Sequence, residues 1–325
     1  MDSKQQGPGS WGGESIASPP SRGDIVFDKV FRGVSYGFAA LTIVVLAVVV
    51  IEIGTKAVPA VRDYGIGLLT SQEWDVNKQV FGILPQIWGT LYSSLLALVL
   101  GGFFGVTIAI FITQDFLPHT LEIILKNIIE LLAAIPSVVY GLWGIFVLIP
   151  ILRPLADMLH AHFGWIPFFG TELMGPGLFP AALVLSIMIL PTVAAVSQDA
   201  FRAIPHKTKE AAYGMGTTRW EAILRVMLPT ASGGIFGALV LGFGRALGET
   251  MALAMLVGNT NQISLSLFSP ANTLAALLAL NFPEAGPVEI EVLMFAAIVL
   301  LVITLLVNII GQWIITASQP GGGKR

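Results

Sequence analysis

The sequence predicts an all-α, polytopic membrane bundle with six transmembrane helices, and three observations carry that prediction. Of 325 residues, 55% are hydrophobic and 11% charged, with a mean hydropathy of +0.81; a soluble domain carries about 25% charged residues. The charge is missing in long blocks, each near the ~20 apolar residues a helix needs to cross the hydrocarbon core. The Lys and Arg residues that remain gather in alternate connections, as the positive-inside rule requires. The solvent for most of this chain is lipid.

Residues 1–24 are rich in Gly, Ser and Pro and almost free of large apolar side chains. They are expected to form a disordered cytoplasmic tail. They precede the first apolar run, which is not the order of a cleaved signal peptide. Residues 25–316 make up the transmembrane domain, and residues 317–325, ending Gly-Gly-Gly-Lys-Arg, read as a second flexible cytoplasmic tail. The spans are expected at about Val34 to Ile53, Ile83 to Ile112, Ile128 to Ile151, Leu178 to Val196, Gly233 to Val257 and Val292 to Ile315. A further apolar stretch, Ile263 to Leu280, is interrupted by Ser266, Ser269, Pro270 and Asn272 and reads as a surface or re-entrant segment. Pro136 and Pro191 fall inside apolar runs, where each removes a backbone hydrogen bond and kinks the helix. Gly101, Gly102 and Gly105 form a small-residue patch that permits close helix approach.

With the N-terminus inside, the terminal segments and connections together hold twelve Lys and Arg on the inner side against four (Lys56, Arg62, Lys78, Arg153) on the outer, leaving Arg245 within a span. Both termini are therefore expected in the cytoplasm. The outer connections instead carry Asp63, Glu73, Trp74, Asp75, Asp157 and Glu172. Several function classes drop out. The net charge of -3 and the lack of a dense basic tract argue against nucleic acid. The absence of cysteine removes disulfides, thiolate metal sites and cysteine nucleophiles. The four histidines are scattered, so no metal and no cofactor is expected. No nucleophile, base and metal ligands cluster as an enzyme would need. No Gly-x-x-x-x-Gly-Lys-Ser/Thr run is present, so the chain cannot itself be an ATPase.

The connection between the fourth and fifth spans, residues 198–229, carries helical punctuation. Pro205 suits a first helical turn. Gly214-Met215-Gly216 stops that helix, since glycine readily takes the positive φ of a C-terminal cap. Thr218 and Glu221 have capping-box spacing and restart a helix, with Pro229 at entry to the next span. Two such short helices are not stable alone in water, so the bundle or another subunit must pack on them. Glu210-Ala211-Ala212, Gly216 and Leu228-Pro229 resemble the EAA loop of permease subunits in ATP-binding-cassette importers. Val226 stands where that family usually has isoleucine. The resemblance implies a helix that docks on a cytoplasmic ATPase, with Glu210 making polar contacts, Ala211 and Ala212 permitting close approach and Gly216 allowing the bend.

Arg245 and Glu249 lie in the fifth run. An arginine at the bilayer centre costs at least ~2.5 kcal/mol and normally marks a polar path. Four residues apart on a helix, the two can pair, while Gly242, Gly244 and Gly248 leave space around them. Arginine is apt for a tetrahedral oxyanion, because its rigid fork donates to two oxygens and never loses its charge. The run Gly244-Arg245-Ala246-Leu247-Gly248-Glu249-Thr250 closely resembles the fifth-span motif of phosphate-importer permeases. Gly82 to Pro85 with Gly89 to Ser94, and Glu130 to Gly144, are similar to the entries to that family's second and third spans. The matches run from about Phe27 to Thr316, and the combination is most similar to the PstC family of type I ABC importer permeases. This implies a heterodimer with a PstA-like permease, two PstB-like ATPase subunits and a periplasmic phosphate-binding protein. It also implies that Arg245 and Glu249 line the passage of inorganic phosphate, in a bacterial inner membrane. Two other readings remain: a permease for another oxyanion (or the partner phosphate subunit), and a lone ion-coupled carrier. The carrier reading expects symmetric repeats, and none is evident.

Overall fold

A computed structural model of the chain describes residues 22–114 and 116–318, with side chains given to residue 316. The two predicted tails, apart from residues 22–24 and the end of the last helix, lie outside the described residues. Among those described, six helices are long and apolar enough to cross a membrane. They are α1 (Arg22–Tyr64), α2 (Leu84–Thr113), α4 (Ser137–Phe163), α5 (Leu178–Arg202), α7 (Arg219–Leu247) and α10 (Pro287–Ser318). Between them lie α3 (His119–Ala134), α6 (His206–Gly214), α8 (Met251–Leu256) and α9 (Leu274–Asn281). The all-α expectation is met.

The chain divides into two units, residues 1–52 and 53–325. The first contributes the start of α1, whose apolar side chains are exposed along its length. Such a surface suits lipid, where every backbone group is satisfied within the helix. The second unit contains the bundle. Its centre is the pair α2 and α5, which run parallel. A Cβ on Gly101 would lie 2.6 Å from the Ser186 carbonyl oxygen, and one on Gly105 would lie 2.9 Å from Val193 Cβ. The small-residue patch therefore works as expected, admitting a neighbouring backbone where any side chain would collide. Helix α7 packs antiparallel to α5, with Gly234 against Ala200 and Gly242 against Val193. Helix α10 then packs antiparallel to α7, with Gly311 against Val240 and Gly237 facing Ile315. The alternation is what successive membrane crossings require.

Proline explains three departures from the expected spans. The third run does not cross as one helix from residue 128. Ile135 is extended (φ -70°, ψ 127°) before Pro136, which itself has ψ 145°. The residue before proline is pushed out of the helical region and proline has no N–H to continue the ladder. The run breaks into α3, where Glu122 pairs with Lys126 one turn on, and the crossing helix α4. Tyr140 Oη donates to the Leu132 carbonyl (2.8 Å) and ties the two pieces together. Two prolines are instead absorbed by a wide π turn just upstream. Residues Gly144–Leu148 precede Pro150, and Ile223–Met227 precede Pro229. In each, the amide before the proline bonds five residues back, at Gly144 O and Ile223 O. Widening the turn relieves the clash between the proline ring and the carbonyl four residues earlier. Pro229 therefore lies within α7, not at its entry.

The fifth crossing also differs. Helix α7 starts at Arg219 and ends at Leu247, and a break at Gly248 to Thr250 separates it from α8. The stretch expected as a surface or re-entrant segment is exposed at Ile263 and Leu265 and then turns inward. Phe268, Ser269, Ala271, Asn272 and Thr273 are buried, and so is the first turn of α9. This irregular backbone meets the need for hydrogen bonds from the helices around it. Its Leu267 and Ser269 carbonyls accept from Phe179 N (2.7 Å) and Leu178 N (3.0 Å), amides that open α5 and have no helical partner. Trp88 Nε1 and Tyr92 Oη donate to the Ser264 and Leu265 carbonyls at 3.1 and 2.9 Å. Gly89 makes the docking possible: a Cβ there would lie 1.9 Å from the Asn272 carbonyl oxygen. The loop fills the end of the bundle at the N-termini of α2 and α5.

Candidate translocation and coupling sites

At the opposite end of α2 and α5 stands the helical pair foreseen between the fourth and fifth crossings. Pro205 is the N-cap of α6, one position earlier than a first-turn proline. Met215 and Gly216 end the helix, their amides donating to Ala211 O (3.1 Å) and Tyr213 O (2.9 Å). Gly216 has φ +80°, the left-handed conformation that favours glycine. The capping box is complete: Glu221 N donates to Thr218 Oγ1 (3.3 Å), and Thr218 N donates to Glu221 Oε2 (3.0 Å). What stabilises these short helices is a hydrophobic cluster joining Ala212, Ala222, Ile223 and Met227 to Ala109 on α2 and to Phe201 and Ile204 at the end of α5.

That packing sorts the predicted coupling residues by face. Ala212 is buried against the bundle, whereas Glu210 and Ala211 are exposed, with Gly216 at the bend. Leu228 is half-buried within α7 and Pro229 exposed beside it. The exposed side also bears Tyr213, Met215, Trp220 and Leu224. Trp220 stacks on Phe116 with ring centroids 5.0 Å apart, an anchor sequence reading did not single out. Large exposed apolar side chains beside a carboxylate and an alanine suit a protein surface better than water.

Arg245 and Glu249 do not share a helix face. Arg245 is in the last turn of α7, Gly248 is the C-cap, and Glu249 falls in the break before α8. The two side chains form no ion pair with each other. Arg245 Nη1 donates to Thr192 Oγ1 on α5 (3.2 Å), while Glu249 Oε1 accepts, weakly at 3.5 Å, from Ala252 N at the start of α8. The glycine that was to leave room for an intrahelical pair ends the helix instead. The guanidinium is exposed on the chain's own surface. Nearby, Leu132, Ile135, Val139, Tyr140, Trp143 and Ile187 line an apolar cavity of about 340 Å³ at the α3–α4 break. Thr192 was missed. Its only signal is a hydroxyl next to a proline within an apolar span.

A parallel pair of crossings at the centre, a docked helical pair at one end and an arginine exposed at a helix break form the frame of a membrane transport permease. Residues 105–321 match the model of the family described as "Binding-protein-dependent transport system inner membrane component". Curated relatives include the phosphate transport system permease protein PstC of Haemophilus influenzae, 37% identical over 302 residues, covering 91% of this chain and 96% of the relative. PstC of Mesorhizobium japonicum is 38% identical over 294 residues, covering 89% and 90%. Among solved structures, a bacterial alginate ABC transporter superposes with a TM-score of 0.61 at 20% identity, covering 90% of this chain and 97% of that one. The MetNI methionine ABC transporter gives 0.56 at 18% identity, with 73% and 96% covered; both show a shared fold only. The chain belongs to this family of binding-protein-dependent inner-membrane transport components, and within it to the PstC permeases. It is accordingly a multi-pass membrane protein.

Proposed function

We propose that the chain is a transmembrane permease subunit of an ATP-driven phosphate importer, pairing with a PstA-like permease to form the path for inorganic phosphate. The observation that carries this reading beyond family membership is Arg245. A group that stays charged at all physiological pH stands exposed on a membrane helix and is held by a neutral hydroxyl, leaving its charge available to an anion. A tetrahedral oxyanion uses that fork best, since two oxygens can be met at once. In this reading Glu249, in the break before α8, competes for the guanidinium when the bundle changes shape, which keeps the anion from being trapped.

In this reading both termini, α6 and the start of α7 lie in the cytoplasm, and the buried loop after α8 closes the periplasmic end in a bacterial inner membrane. Two PstB-like ATPase subunits supply the energy. One receives the exposed face of α6, with Glu210 at its rim, Ala211 in close contact, Ala212 holding the helix to the bundle and Gly216 setting the bend. Leu228 and Pro229, within α7, pass the push along that helix, whose far end carries Arg245. A periplasmic phosphate-binding protein docks on the outer loops and delivers its ligand when ATP closes the ATPase pair; hydrolysis reopens the path inward. The test is uptake of labelled phosphate, with sulfate as competitor, by vesicles holding the reconstituted complex. ATP-dependent uptake unaffected by excess sulfate is expected, and no such uptake would overturn the substrate assignment.

A further inference from the structure

We infer that Thr192 on α5 is the positioning residue of Arg245, holding the guanidinium open to the anion and offering its own hydroxyl proton to the same anion. The inference rests on the phosphate-path reading above and adds a residue to it.

Helical threonines ordinarily turn the hydroxyl back on the helix and donate to the carbonyl four residues earlier. Thr90, Thr107, Thr113, Thr230 and Thr304 all do so here, at 2.6–2.8 Å. Thr192 does not. Among the described residues, its hydroxyl takes part in one hydrogen bond, as acceptor from Arg245 Nη1 at 3.2 Å. A hydroxyl that accepts still has its proton to give. That proton and the remaining guanidinium donors emerge from neighbouring helices, α5 and α7, at one place.

Pro191 has no N–H, so the Ile187 carbonyl one turn back loses its helical partner. Ile187 also lines the cavity at the α3–α4 break, together with Tyr140. The chemistry of the pairing matters too. A carboxylate bound to Arg245 would neutralise it, whereas a hydroxyl fixes its orientation and leaves the full charge for a ligand. Since α7 ends at Leu247, Glu249 cannot perform the holding role in this conformation. Thr192 is the group that does.

The experiment uses the reconstituted four-part complex with Thr192→Val, nearly isosteric but without the hydroxyl, and Thr192→Ser, which keeps it. The readouts are uptake of labelled inorganic phosphate, half-saturation by phosphate-loaded binding protein, and yield of assembled complex. Thr192→Val should lower the maximal uptake rate on the order of tenfold, the factor expected when one charge-assisted hydrogen bond is lost. Half-saturation and assembly should stay unchanged, because docking and packing are elsewhere, and Thr192→Ser should recover at least about half the rate, since the hydrogen bond returns. Normal uptake by Thr192→Val, equal loss in both variants, or a fall that merely follows assembly would each overturn the role. Failure of the unsubstituted complex to take up phosphate would instead sink the functional reading, and this inference with it.

Discussion

Arg245 is where residue chemistry decides most. Its guanidinium sits in the last turn of α7, held across to α5 by a single hydrogen bond. Arg245→Gln keeps a polar side chain with one donor group but shortens it and removes the charge and the fork. Phosphate uptake by the complex should fall at least about a hundredfold, as the loss of a charge-assisted contact in a desolvated path implies, while the complex still assembles. Uptake near the wild-type rate in an assembled Arg245→Gln complex would remove the residue from the path. Sequence alone pointed to this arginine, since a charge within an apolar run is expensive enough to need a reason. It could not show the partner. Four-residue spacing implies a shared face only while the helix continues, and Gly248 stops it. Thr192 was illegible for a different reason: one hydroxyl in a span usually bonds its own backbone, and only the neighbouring helix reveals that this one does not.

Elements were legible wherever their signals are local. The capping box at Thr218 and Glu221 and the turn at Gly216 fall where side-chain and backbone preferences place them, and α6 starts within one residue of that. Run boundaries near proline were not, because the same residue breaks the chain at Pro136, is carried within α5 at Pro191 and is absorbed by a π turn before Pro150 and Pro229. Which outcome occurs depends on what packs around it. The buried loop before α9 was hidden for a related reason: its polar residues look exposed until the amides of α5 and the side chains of α2 are brought to meet them. The exposed face of α6 lends itself to a direct test. Ala212 fixes the helix to the bundle, and Glu210 points away from that contact. Glu210→Lys should therefore leave the permease folded and inserted while reversing the charge offered to the ATPase. ATPase co-purification should drop severalfold, or ATP hydrolysis should proceed without uptake, at an exposed site where folding cost stays within about 0.5 kcal/mol. Intact coupling in Glu210→Lys would place the docking face elsewhere.

At the scale of the whole molecule, packing separates two ends of the bundle and charge proposes which side each end faces. Helices α2 and α5 run parallel, with α6 and the start of α7 docked at their C-terminal ends and the buried loop at their N-terminal ends. Whatever side holds one end, the other lies across the bilayer. The positive-inside rule leads us to propose that the α6 end is cytoplasmic, since Lys126, Arg202, Lys207, Lys209, Arg219 and Arg225 all stand at or near it. The chain contains no cysteine, so single-cysteine variants can report on this with no background to remove. Met215, 76% exposed in the turn after α6, and Met174, 79% exposed in the connection between α4 and α5, sit on opposite faces. In intact cells a membrane-impermeant maleimide should label Met174→Cys and spare Met215→Cys. Inverted vesicles stripped of the ATPase subunits, which would otherwise cover the Met215 face, should reverse the pattern. Neither substitution enters a packed contact, so both proteins should insert normally and a negative result keeps its meaning. Labelling of Met215→Cys from outside would invert the topology, put the coupling face away from any cytoplasmic ATPase, and end the import mechanism built on it.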